Sequence, residues 1–259
     1  MSAAALGLAL LLAGAAPASP AAAPAAGPLA AAPDTGALGG LPLVEVPARG
    51  GAPRAVAVLV TGDGDWADLV QTVAGTLADS GVAVVGVKAR AYLTGGARTP
   101  DGTAADLARV ARTYALRWGG ARGGALPVAL VGYSRGADLL PVVAQRLPDD
   151  VRGRVAAVAM FGLAPAANFT FHWADLVRDT RRADDVPLAP ELPRLRAALP
   201  RARLVCVYGS DERDSPCQAA DPAVLTRVGT RGAHHFDGDY PALARLVLAG
   251  LPARGRPGD

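Results

Sequence analysis

The sequence predicts an α/β fold, a mostly parallel central sheet with helices on both faces. Continuous apolar runs alternate with helical patterns along the chain, the mark of strands buried on both sides. One such junction reads Gly132-Tyr133-Ser134-Arg135-Gly136, directly after the apolar run Val128-Ala129-Leu130-Val131. Of 259 residues, about 215 follow an Ala/Pro-rich leader, enough for one domain with a single core.

The leader divides in two. Ala3 to Ala16 is an apolar run too short to anchor in a bilayer, and Ala16-Pro17-Ala18 offers the small residues a signal peptidase reads, although no Lys or Arg precedes the run. Residues 1–18 are therefore expected to be a signal peptide, residues 19–40 a disordered spacer rich in Ala, Pro and Gly, and residues 41–259 a single domain. Within that domain Ala55 to Thr61 reads as a buried strand, followed by a Gly/Asp turn and a helix from Trp66 to Ala78. Val82 to Val87 is the next strand, then a loop to Pro100, then a helix from Thr103 to Trp118 with Leu107, Val110, Ala111 and Tyr114 at helical spacing. Val128 to Tyr133, Val155 to Phe161, Leu204 to Tyr208 and Leu225 to Val228 complete the strands, and Tyr240 to Leu251 is the last helix. Between Ala164 and Pro200 the alternation lapses into a Pro-rich insertion, read as a lid or edge element.

Gly-x-Ser-x-Gly between a strand and a helix has a steric meaning. A strand that turns at once into a helix strains its turn residue, and only small neighbours permit the close approach. Ser134 would then stand exposed at the carboxyl end of a parallel strand, and the expected architecture becomes an α/β-hydrolase fold. A serine hydroxyl is a poor nucleophile until a base takes its proton, and the base needs a third group to hold its tautomer. In this fold these partners follow in the order nucleophile, acid, histidine. Three histidines follow Ser134: His172, His234 and His235. His234 and His235 lie in Gly232-Ala233-His234-His235-Phe236 just after the final strand. His235 is the expected base, because this Gly-Ala-x-His-Phe arrangement looks like the base loop of related hydrolases; His234 is the alternative, and His172 is assigned to the insertion. The acid should follow the strand Leu204 to Tyr208, where Asp211, Glu212 and Asp214 compete. Many hydrolases of this fold place the acid three residues past the strand-ending glycine, here Gly209, which points to Glu212. Proximity to Cys217 keeps Asp214 in contention, and spacing does not choose between them.

Oxyanion stabilisation needs backbone N–H donors. One is expected from Arg135, and the other from Asp63 in the loop Thr61-Gly62-Asp63-Gly64-Asp65-Trp66. That loop lacks the Lys and Ser/Thr of a nucleotide cradle. Asp63, Asp65, Asp138, Asp237 and Asp239 would together form an acidic mouth that attracts a cationic substrate, with Asp65, Asp138 and Asp239 as substrate contacts. The competing assignment makes Asp138 a buried hydrogen-bonding residue and the others helix and turn caps.

Cys206 and Cys217 are the only cysteines. In an exported protein the pair is expected to form a disulfide worth roughly 2–3 kcal/mol, the alternative being two buried thiols. No metal site and no cofactor is expected, since no His or second Cys pair sits at ligand spacing. The net charge of +3 is slight, and the basic residues, all Arg but one, are scattered. A nucleic-acid surface is not expected.

Assembled, these segments resemble the VirJ/AcvB family of bacterial virulence proteins. The resemblance rests on Gly62-Asp63-Gly64-Asp65-Trp66, Thr99-Pro100 and the stretch from Gly132 to Pro141. It continues through Tyr208-Gly209 to Glu212, Asp214-Ser215, Cys217, and His234-His235-Phe236-Asp237-Gly238-Asp239-Tyr240. Asp65 stands where the family suggests Gly, and the loop around Tyr92 is less aromatic. The resemblance implies a periplasmic serine hydrolase linked to hydrolysis of lysyl-phosphatidylglycerol and to type IV secretion. Its expected partners are an aminoacylated phospholipid or another small ester, with secretion-system or exported proteins and peripheral membrane contact also implied. Two other functions stay open at this point: a non-catalytic scaffold that keeps the fold, and a general carboxylesterase. Phe169, Phe171 and Trp173 alternate in a way that would suit an apolar edge or a half-buried strand.

Overall fold

A computed structural model of the chain describes residues 38–119, 126–173 and 182–253. The expected signal peptide and all but the last three residues of the expected spacer lie outside these. Leu38, at the end of that spacer, is buried in the core.

Seven strands form the central sheet: β1 (Leu43–Val46), β2 (Ala55–Val60), β3 (Val82–Val87), β4 (Val128–Tyr133), β5 (Val155–Phe161), β8 (Arg203–Gly209) and β9 (Thr226–Thr230), in the order β1-β3-β2-β4-β5-β8-β9. All neighbours are parallel except β1, which runs antiparallel to β3. Two short strands, β6 (Ala166–Ala167) and β7 (Val186–Pro187), pair within the insertion. The helices are α1 (Asp68–Asp79), α2 (Ala89–Thr94), α3 (Pro100–Gly119), α4 (Arg135–Ala144), α5 (Asp149–Arg152), α6 (Glu191–Ala198) and α7 (Tyr240–Leu248).

The apolar runs are continuous because successive side chains of one strand enter different cores. In β2, Val56, Val58 and Val60 pack with α3 and α4, whereas Ala55, Ala57 and Leu59 pack with α1 and α7. A strand buried on both faces loses the polar/apolar alternation of a half-exposed one. Parallel strands with helical crossovers also bring every strand's carboxyl end to one rim, where the loops after β2, β4, β5, β8 and β9 meet.

Three departures from the sequence reading have local causes. β1 is not among the strands expected from the sequence; its LVEV run is short and contains a carboxylate. Glu45 is nonetheless buried, accepting hydrogen bonds from the Tyr114 hydroxyl at 2.6 Å and Arg117 at 2.9 Å. The stretch expected to be a loop before Pro100 contains α2, which has no side-chain cap to announce it and buries Tyr92 and Leu93. Phe169 and Phe171 form no alternating strand: both are buried in the core, and only Trp173 is exposed. Among the described residues, no helix is long and apolar enough to cross a membrane.

Candidate active site

Ser134 occupies the turn between β4 and α4 with φ 54° and ψ −125°, a conformation that residues other than glycine rarely adopt. Its N–H donates to the Phe161 carbonyl at 2.8 Å, and its own carbonyl accepts from the Asp138 N–H at 3.0 Å. The flanking glycines make the turn sterically possible. A Cβ on Gly136 would lie 2.1 Å from the Val60 carbonyl oxygen, and one on Gly132 would lie 2.5 Å from the carbonyl of Gly136. Gly62, from the loop after β2, is less tightly enclosed, but its Cβ would still stand 2.9 Å from that of Ser134. The loop expected to supply an oxyanion donor therefore abuts the serine.

The acid and the imidazole come from the loops after β8 and β9. Glu212 Oε1 lies 2.5 Å from His234 Nδ1, and its Oε2 accepts the Gly209 N–H at 2.6 Å. Burial alone would raise the Glu212 pKa, but the hydrogen bonds from His234 and Gly209 outweigh it and hold the carboxyl below its ordinary value. His234 is fixed from several sides. Its ring packs against Tyr133 and Phe236, with centroids 5.2 and 6.0 Å away, and its carbonyl accepts from the Tyr133 hydroxyl at 3.3 Å. Desolvation pushes Tyr133 up to about 12, so it remains a donor. Gly162, at φ +70°, forms the floor beneath the ring.

Between the two candidate bases, the structure joins the carboxylate to His234 and not to the expected His235. Phe236 and Asp237 both have left-handed backbones, at φ 47° and 64°, and Phe236 is buried. That turn sends Phe236 into the core and leaves His235 exposed, 3.5 Å from the Tyr240 hydroxyl. Among the three carboxylates only Glu212 reaches an imidazole; Asp211 and Asp214 are exposed. The disulfide Cys206–Cys217 is present, with Cα atoms 5.8 Å apart, and closes the loop that carries Glu212. Gln218, next to Cys217, adds a second tie by donating to the Glu212 carbonyl at 2.6 Å.

Ser134, His234 and His235 line one cavity of about 380 Å³ with Asp63, Asp65, Asp68, Tyr133 and Tyr240. No hydrogen bond joins Ser134 to His234; such contacts often tighten only when substrate binds. The two expected oxyanion residues are linked in a way the sequence did not suggest. Arg135 grips Asp63 through two hydrogen bonds, of 2.6 and 3.0 Å, tying the loop after β2 to the first turn of α4.

The expected acidic mouth is largely neutralised. Besides Asp63, Asp237 pairs with Arg231, and Asp239 caps α7 through the Ala242 N–H while approaching Arg245. Asp138 does not line the cavity: its Oδ1 accepts the Ala164 N–H at 2.8 Å. Of the three expected substrate contacts only Asp65 borders the cavity; one of its oxygens is 3.1 Å from Arg90, and Oδ1 has no partner among the described residues. His172 lies outside the cavity lining, and no described group of three or more His, Cys, Asp or Glu could hold a metal.

The sheet order, the strained serine turn and the loop positions define an α/β-hydrolase fold. Solved structures agree. A lipase in its open form superposes with a TM-score of 0.54 at 15% identity, covering 80% of this chain and 94% of the lipase. An esterase domain from a Rhodothermus marinus protein gives 0.51 at 18%, covering 80% and 89%, and Est1E from Butyrivibrio proteoclasticus gives 0.52 at 13%, covering 82% and 95%. At such identities the likeness concerns the fold. The chain belongs to the VirJ family of bacterial virulence proteins, whose model matches residues 54–255. A search among curated proteins found no match.

Proposed function

We propose that this protein is an exported serine hydrolase that cleaves an aminoacyl ester of a phospholipid, of the lysyl-phosphatidylglycerol type. The observation that carries the hydrolase reading is that His234, paired with Glu212, shares one cavity with a strained Ser134. In this mechanism His234 takes the Ser134 proton as the hydroxyl oxygen attacks the ester carbonyl, and Glu212 holds the imidazole tautomer and balances the imidazolium. The backbone N–H groups of Asp63 and Arg135 receive the developing oxyanion. Collapse of the tetrahedral species breaks the ester C–O bond, and His234 returns the proton to the departing glycerol oxygen. Water, deprotonated by His234, then attacks the aminoacyl carbonyl, the bond to the Ser134 oxygen breaks, and His234 returns the proton to that oxygen as the amino acid departs.

The substrate class rests on VirJ membership and on Asp65 beside the cavity, where a carboxylate would favour an ammonium group. Export accords with the disulfide. The test has two stages. A fluorophosphonate probe should label Ser134 covalently; an unlabelled protein would sink the hydrolase reading. Vesicles containing lysyl-phosphatidylglycerol should then release free lysine, whereas release only from short soluble esters would leave a general carboxylesterase.

A further inference from the structure

Asp138 sits one helical turn beyond Ser134, yet its carboxylate is turned to a different task from the cavity. Its Oδ1 accepts the N–H of Ala164 at 2.8 Å. Ala164 closes the short loop that leaves β5 after Phe161, and that loop begins with Gly162. A Cβ on Gly162 would meet His234 Cε1 at 2.4 Å and Nδ1 at 2.7 Å, so the imidazole rests directly on this backbone. The loop is held at its start by the Gly162 N–H, which donates to the Val207 carbonyl at 2.9 Å. At its other end it is held by Asp138. The same β5 terminus accepts the Ser134 N–H through Phe161. One backbone segment thus touches both the serine turn and the histidine ring.

We propose that Asp138 is a positioning residue, which holds the Gly162–Ala164 loop against His234 and so sets the imidazole between Glu212 and Ser134. The proposal rests on the reading of Ser134 and His234 as nucleophile and base. The surroundings of Asp138 are consistent with a role through geometry. Burial pushes its carboxyl up to about 7, against the Ala164 N–H and the nearby Arg135 and His234, which lower it, while Asp63 raises it. Near neutral pH both protonation forms are accessible, and each keeps an oxygen that can accept the Ala164 N–H. An amide should therefore replace the carboxyl, whereas a methyl group should not.

The test is the rate at which the full chain is labelled at Ser134 by a fluorophosphonate, resolved into the maximal inactivation rate and the half-saturating concentration. Asp138→Ala should lower the maximal rate by about 10–100-fold, with half-saturation within about threefold, because a displaced base slows the chemistry and leaves the cavity intact. Asp138→Asn should keep the maximal rate within about threefold of the unaltered protein. If Asp138→Ala labels within that same margin, or Asp138→Asn loses as much as Asp138→Ala, the proposal is overturned. Should Asp138→Ala fail to fold, Ala164→Pro removes instead the N–H that the Asp138 carboxyl accepts. That change should cost the same 10–100-fold, and an unchanged rate would overturn the proposal. Absence of labelling in the unaltered protein would overturn the hydrolase reading and this proposal together; normal labelling with an indifferent Asp138→Ala would overturn only this one.

Discussion

The two halves of the candidate site are built by different means. The half that carries Ser134 is a contiguous stretch: β4 leads into Ser134 and then α4, with Gly132 and Gly136 admitting the strained turn. The half that carries Glu212 and His234 joins the loops after β8 and β9: a disulfide and Gln218 hold the Glu212 loop, and the His234 ring packs against Tyr133, Phe236 and Gly162. Backbone contacts fix the first, with the Val60 carbonyl against Gly136 and the Phe161 carbonyl accepting the Ser134 N–H. The second depends on groups distant in sequence, so its geometry should be easier to loosen without unfolding the domain.

The sharpest contrast should come from the reacting groups. Ser134→Ala and His234→Ala should each cut turnover by about 10⁴–10⁶, while His235→Ala should stay within about tenfold. Steady-state kinetics on any accepted ester decides this, and a larger loss for His235→Ala would reverse the assignment of the base.

On the acid side, Glu212→Ala should cost about 10²–10⁴ in turnover, and Asp214→Ala less than about threefold. The Glu212 carboxyl is held below its ordinary value, so its stabilising contribution is complete above the usual glutamate pKa and is lost as pH falls through the lower folded value. Denaturant melts of Glu212→Gln and the unaltered protein should therefore converge in strong acid, and a difference that widens there would contradict the Glu212–His234 pairing.

Removing the tie between loop and strand should affect the acid half selectively. Replacing Cys206 and Cys217 with Ser should destabilise the protein by about 3 kcal/mol, from the loop-closure entropy of a ring this short. Hydrogen exchange should rise in residues 209–218 and remain unchanged through 132–140; equal exposure of both stretches would erase the distinction between the halves.

The smallest effect concerns the rim. Asp65→Asn should reduce turnover of a lysyl ester relative to a neutral alkanoyl ester by about 5–30-fold, the equivalent of a screened charge pair of roughly 1–2 kcal/mol. The preference should shrink in high salt. Equal losses on both esters would remove Asp65 from ammonium recognition.

Much of this protein was legible before any coordinates. Apolar runs covered on both faces located β2, β3, β4, β5 and β8, because burial on two sides leaves a signal in the residues themselves. The serine turn was legible as well, because Gly-x-Ser-x-Gly between a strand and a helix marks it, although the room that Gly136 leaves is taken by the Val60 carbonyl of β2. The acid was narrowed to three neighbours and the histidine to two, but spacing could go no further. His234 and His235 have the same chemistry and nearly the same place in the chain. What separates them is the left-handed turn at Phe236 and Asp237, together with the pocket formed by Tyr133 and Gly162. The aspartates show the same limit: a carboxylate reads alike in sequence whether it awaits a ligand or already holds an N–H or a guanidinium. Asp138 and Asp63 acquired their protein partners only when residues far along the chain were brought beside them, whereas Asp239 caps the helix that begins at the next residue, one of the roles the sequence left open. Local sterics and periodicity determined the frame and the serine; long-range packing decided which imidazole meets the carboxylate, and which charges remain to meet a substrate.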